Sequence, residues 1–233
     1  MSNPIPTQLT LGVTLNDDAT LENFLVNEQN QQLLNNLQSP DADGQVFYLW
    51  GKSSAGITHL LQAMCHQATA QKRGAIYLPM LQKAEFSPEI LTGTNSLSLV
   101  SIDNLEALVG DPDWEAALFT EFNAISQRDT TLIIGADAPP QNISVSLADL
   151  GSRLNSALVY QLKPLVESEK IKALQLRAAK RGMQLSDAVA GFIYQRGERS
   201  MAGLMDVLQR LDDSSLTHKR PLTIPLVKAT MDW

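Results

Sequence analysis

Gly51-Lys52-Ser53-Ser54-Ala55-Gly56-Ile57-Thr58 is the stretch of this chain richest in chemical content. It has the Gly-x4-Gly-x-[Ser/Thr] spacing of a phosphate-binding loop, set between an apolar run at Val46–Trp50 and a helical pattern through Leu60, Leu61, Met64, Cys65 and Ala68. The glycines let the backbone wrap until successive N–H groups converge on phosphate oxygens, and a helix starting near Thr58 turns its positive end the same way. Thr58 offers a hydroxyl for Mg2+. The lysine that usually precedes that threonine is replaced by Ile57, which removes a point charge from the place where negative charge develops in phosphoryl transfer. Backbone amides do not need that side chain, so binding of a diphosphate is expected and hydrolysis is expected to be poor. Two plainer readings stay open here: small residues packed at a strand–turn–helix junction, and a nucleotide site degraded beyond binding. Lys52 reads as a solvated surface residue.

Two further apolar runs end in a carboxylate. Leu97–Ile102 leads into Asp103, which beside a phosphate loop would hold Mg2+ through water, and Asn104 stands where an active hydrolase usually keeps a glutamate. Thr131–Ala136 leads into Asp137 and then Ala138-Pro139-Pro140. Asp137 faces a third phosphate if its strand lies beside those bearing the loop and Asp103, and is otherwise a turn residue. His59 and His66 share one helix without an acidic companion and read as packing or solvated residues. Trp114, Phe119 and Phe122 read as core.

These residues need a scaffold that brings strand ends together. Val46–Trp50, Ala75–Leu78, Leu97–Ile102, Thr131–Ala136 and Leu158–Leu162 alternate with helical segments, the pattern of βαβ units around a parallel sheet of five strands. The fold class is therefore α/β. After Pro164 the strand signal stops, and helices are expected over Glu167–Arg181, ended by Gly182, over Asp187–Arg196 capped by Ser186, and over Arg199–Leu216. Pro221–Pro225 reads as extended, before a last short helix to Met231. The chain thus divides into an arm at 1–16, an α/β domain at 17–164 and a helical domain at 165–233.

The 233 residues carry 18 basic and 25 acidic side chains, a net charge of −7, and 44% are hydrophobic. That excludes wholesale disorder and argues against a broad grip on nucleic-acid phosphates. The single cysteine, Cys65, rules out an internal disulfide and fits a reducing cytoplasm. No secretory signal or membrane span is read.

These blocks in this order resemble the AAA+ ATPase module, and within it the bacterial replication initiator DnaA and its regulatory homologues. The resemblance spans roughly residues 17–230 and rests on Asn23-Phe24-Leu25-Val26 with Asn30, Ile102-Asp103-Asn104-Leu105-Glu106, Phe119 with Phe122-Asn123, Ala136-Asp137-Ala138-Pro139-Pro140 and Asp149-Leu150-Gly151-Ser152-Arg153-Leu154. It implies an AAA+ domain with a helical lid and without the initiator's DNA-binding helices. It also implies ADP or another nucleoside diphosphate, with Mg2+ at Thr58 and Asp103, contacted by Phe24, Leu25, Val26, Ser54, Ala55, Gly56, Ile57, Thr58, His59, Asp103, Asp137 and Arg199. Phe24, Leu25 and Val26 would wall the base or simply pack the sheet edge. Arg199 would stand in for the lid arginine that falls on Ala202.

Arg153 corresponds to an arginine finger that acts on a partner's nucleotide. Gln8-Leu9-Thr10-Leu11 resembles the short peptide that docks into the sliding clamp of DNA polymerase, where Gln8 would fill a polar slot and Leu9 and Leu11 an apolar pocket. The implied role is a negative regulator of replication initiation rather than an enzyme. Its partners would be DnaA and the clamp, DNA would be reached only indirectly, no membrane would be involved, and self-association is left open. The alternative is a self-hydrolysing AAA+ ATPase such as a helicase-loading factor.

Overall fold

The computed structural model describes residues 15–125, 127–218 and 222–233. The docking peptide expected at Gln8, Leu9 and Leu11 lies outside the described residues. Five strands form one parallel sheet: β1 (Val46–Trp50), β2 (Ala75–Pro79), β3 (Leu99–Asp103), β4 (Thr131–Ala136) and β5 (Leu158–Gln161), in the order β2-β3-β4-β1-β5. β3 starts two residues later than the apolar run because the Leu97 N–H closes a 3-10 turn on the Thr94 carbonyl.

Side chains along these strands alternate between two cores, as pleating demands. Tyr48, Val100, Ile102, Leu132 and Ile134 pack on Trp114, Leu118, Phe122, Leu150 and Leu154, which belong to α3 (Pro112–Ile125) and α4 (Ala148–Ser156). Phe47, Leu49, Leu99 and Ile133 turn to the opposite face. There they meet α1 (Gln31–Leu37) and α2 (Ile57–Ala70) through Leu33, Leu37, Leu60, Leu61, Met64 and Cys65. Burial of both faces explains why the strands read as unbroken apolar runs.

The helical domain has its own core. Leu174 and Ala178 of α5 (Glu167–Lys180), Val189 and Ile193 of α6 (Asp187–Arg196), Leu204 and Leu208 of α7 (Met201–His218) and Val227 of α8 (Ile224–Met231) pack together. Gly182 at φ +75 follows α5, and the Ser186 hydroxyl caps α6 by accepting the Val189 N–H. Two expectations need correction. α7 begins at Met201, beyond Arg199. The segment expected to be extended over Pro221–Pro225 is partly helical, since α8 opens at Ile224 with Pro225 in its first turn, where a missing N–H breaks no helical bond.

Candidate functional site

The sheet order places β4 between β1 and β3. The C-terminal ends of β1, β4 and β3 therefore bring the phosphate loop, Asp137 and Asp103 to one edge, the usual place for a ligand in an open parallel sheet. A cavity of about 580 Å³ lies there, lined by the loop from Gly51 to Thr58 and by Phe24, Leu25, His59, Asp103, Asn104, Glu106, Asp137, Arg177, Ala202 and Met205, among others. Strand adjacency brings Asp137, in the bend that follows β4, to the cavity lining.

The loop is shaped for an anion. Ser54 at φ +65 and Gly56 at φ +99 both occupy the left-handed region, which turns consecutive amides inward. A side chain at Gly56 would also stand 3.2 Å from the Phe24 ring. No side chain caps α2 at Gly56, and the N–H groups of Ile57, Thr58 and His59 find no acceptor among the described residues. These are unsatisfied donors at the positive end of a 14-residue helix. A phosphate group fits that cradle. The Thr58 hydroxyl donates to Asp103 Oδ2 at 2.7 Å, and the Tyr77 hydroxyl donates to the same oxygen at 2.8 Å. Thr58 and Asp103 thus form the oxygen pair that would hold Mg2+.

Ile57 does not reach over the loop as a lysine would. Its Cγ2 lies where a Cβ at position 135 would approach to 2.6 Å, so Gly135 of β4 is the floor that accepts it. The side chain packs with the apolar core of α2.

Leu25, Phe24 and His59 line the cavity, and the Phe24 and His59 rings lie 5.4 Å apart. Val26 is not among the lining residues. Arg199 is not there either: its guanidinium lies 5.7 Å from the Tyr194 ring centroid within the helical domain, and Lys170 donates to its carbonyl. Arg199 therefore does not replace the lid arginine. The α7 residues at the cavity are Met201, Ala202 and Met205.

The lid arginine that does enter is Arg177, on the buried face of α5 beside Ala173, Leu174 and Ala178. It donates to the carbonyls of Asp18 at 2.7 Å and Asn23 at 3.1 Å, and to His59 Nδ1 at 2.8 Å. His59 Nε2 then carries its proton and donates to the Thr20 carbonyl at 2.9 Å. Burial, partly offset by that bond and reinforced by the Arg177 charge, lowers the imidazole pKa to about 4. The ring is neutral at physiological pH and able to accept from Arg177. Arg181 pairs with Asp18 and Lys180 with Glu22 along the same seam. Asn30 exchanges two hydrogen bonds of 3.0 Å with the Lys163 backbone, fixing the strand-to-lid connection. The place of Arg177 in an apolar helical stripe was the one signal available in sequence, and the residues that receive it lie in the α/β domain, far along the chain.

Arg153 sits on α4, exposed, away from the cavity lining, with no ion pair or side-chain hydrogen bond among the described residues. Its helix is held from beneath by Glu115. That carboxylate accepts from the backbone N–H groups of Gly110, Ser146 and Leu147 at 2.8, 3.0 and 2.7 Å. Burial opposes its ionisation, yet these three donors together keep its pKa below the usual value. His66 hydrogen-bonds the Asn16 carbonyl, and no cluster of metal-ligating side chains occurs among the described residues.

The model of the bacterial DnaA ATPase domain matches residues 15–161, well over half the chain. The chain belongs to that family. Residues 167–231 match the lid domain of Hda, so this is an Hda-type, DnaA-homologous AAA+ protein and a DnaA-related replication regulator. Its fold is shared with domain III of the Thermotoga maritima replication initiation protein DnaA, at TM-score 0.76 and 20% identity, over 94% of this chain and 98% of that one. AMPPCP-bound DnaA from Aquifex aeolicus aligns at TM-score 0.69 and 22% identity, over 88% of this chain and 68% of that one. The Thermotoga maritima RuvB Holliday junction branch migration motor aligns at 0.67 and 17%, over 92% and 71%. In this DnaA-family chain no helix among the described residues is long and apolar enough to cross a membrane.

Proposed function

We propose that this protein binds a nucleoside diphosphate, with adenine as the base that the resemblance implies, and in that form presents Arg153 to ATP held by DnaA, whose hydrolysis it accelerates. The observation that carries the reading is the state of Arg153: charged, exposed, unpaired among the described residues and outside the lining of its own cavity. Such a guanidinium does not serve its own cavity and is free to reach a nucleotide on another molecule. Charge supplied in trans to a developing phosphoryl transition state is worth about 10³–10⁵ in rate.

The chain's own site supports binding more than turnover. Loop amides and the start of α2 would hold the phosphates, Thr58 and Asp103 would hold Mg2+, and Phe24, Leu25 and His59 would flank the base. Ile57 supplies no charge to a third phosphate, and Asn104 is not a carboxylate. Gln8, Leu9 and Leu11 would dock the protein on the sliding clamp, placing it where DnaA and DNA meet, so DNA is engaged only through partners.

The test follows labelled ATP loaded on DnaA in the presence of clamp-bearing DNA. Wild-type protein is expected to speed hydrolysis; Arg153→Ala, and Gln8→Ala with Leu11→Ala, are expected to fail. A folded, nucleotide-bound wild type without effect would refute the regulator reading. Brisk basal turnover without DnaA would favour a self-hydrolysing AAA+ ATPase instead.

A further inference from the structure

The cavity holds three carboxylates, Asp103, Glu106 and Asp137, against two cations, Lys52 and Arg177. Arg177 is already committed to the seam with the N-terminal segment, and Lys52 is exposed at the loop's outer turn. Glu106 is the one carboxylate of the three that the phosphate-loop chemistry leaves without a role.

Its position is built. Asn104 adopts the left-handed conformation at φ +60 and its amide donates to Glu106 Oε1 at 3.3 Å. The Asp137 N–H donates to Glu106 Oε2 at 3.3 Å. The carboxylate therefore bridges the ends of β3 and β4, on the same cavity that the loop lines. The Tyr48 phenol, whose hydroxyl donates to the Ala138 carbonyl, registers the field there. Burial first, then the charges of Glu106 and Asp137, push its pKa well above normal.

We propose that Glu106 makes this site prefer two phosphates to three. A diphosphate reaches only the loop amides and the start of α2. A third phosphate must extend toward the ends of β3 and β4, into the company of Glu106 and Asp137, and at position 57 it meets an isoleucine packed on Gly135 rather than a balancing lysine. Like charges brought within several ångströms in a half-buried cleft repel by amounts that dominate a binding preference. Glu106 is thus a specificity-determining residue. This rests on the nucleotide reading above and names what restricts it.

Titration calorimetry with ADP and with AMPPCP, on the full chain, separates the two. The quantity read is the ratio of their dissociation constants, with and without Mg2+. Wild type is expected to favour ADP. Glu106→Gln is expected to shift the ratio toward AMPPCP by roughly tenfold, most strongly at low salt, while Glu106→Asp keeps the wild-type preference. Should the glutamine variant fail to fold by thermal melting, Glu106→Ser is measured in its place. An unchanged ratio, or an aspartate variant as permissive as the glutamine one, overturns the proposal while leaving nucleotide binding intact. So does weaker Mg-dependent AMPPCP binding in the glutamine variant, because Glu106 would then be holding the cation. Wild type that binds neither compound overturns the nucleotide reading, and this proposal with it.

Discussion

Arg177 and Arg153 carry the same guanidinium into opposite surroundings. Arg177, on the lid helix α5, is buried among two carbonyls and a neutral imidazole that accept its protons. Arg153, on α4, is exposed and unpaired among the described residues. A buried cation with each of its three nitrogens bonded to an acceptor is committed to its own fold, because leaving it or its partners unsatisfied is expensive. An exposed cation held on a firmly seated helix costs nothing to leave free and keeps its charge for a partner. The difference commits one arginine to assembling the molecule and leaves the other available for the action proposed above.

The comparison breaks most sharply at Arg153. Arg153→Ala is expected to lower the stimulation of DnaA-bound ATP hydrolysis by about 10³-fold or more while unfolding free energy stays within about 0.5 kcal/mol of wild type. Hydrolysis assays paired with denaturant melts check both halves. A large loss of stability would show that Arg153 is structural after all.

At Arg177 the expectation reverses. Arg177→Ala strands the carbonyls of Asp18 and Asn23 and the acceptor nitrogen of His59, and should cost roughly 3–4 kcal/mol of stability. Hydrogen exchange should localise the loss to residues 16–24 and α5. Exchange protection unchanged there would mean that Lys180–Glu22 and Arg181–Asp18 hold the seam without it. The Lys180–Glu22 pair is exposed, and such pairs are individually weak.

How far this was legible follows from the same contrast. Runs such as Val46–Trp50 and Thr131–Ala136 announce buried parallel strands because both faces are covered. The phosphate loop and Asp103 are readable because a short segment contains their whole geometry. Asp137 needed the strand order, which no local pattern contains. Arg177 and Glu106 escaped because their meaning lies in residues far along the chain: Asp18 and Asn23 for one, Asp137 for the other. Arg199 misled because spacing to Ala202 suggested one helical face, whereas α7 begins only at Met201 and leaves Arg199 in the preceding connection over Tyr194. Gly135 carries no mark in the sequence, because its use depends on α2 bringing Ile57 against β4.

His59 sharpens the comparison from the other side, since it titrates within the seam that Arg177 closes. Its pKa falls from 6.5 to about 4 on folding, chiefly through burial, with the nearby Arg177 charge adding to it. Between those values the unfolded chain binds the proton that the folded one refuses. Stability is therefore full above pH 6.5 and declines as the pH falls toward 4, by about 3 kcal/mol from this residue. His59→Gln retains a donor for the Thr20 carbonyl and an acceptor for Arg177 but cannot titrate, so its stability should fall less steeply across that window. In Arg177→Ala, relief from the neighbouring charge should move the His59 midpoint upward, readable by NMR of the imidazole. If wild type and His59→Gln lose stability in parallel from pH 6.5 to 4, the imidazole is not held neutral at the seam, and Arg177 must be satisfied by the two carbonyls alone.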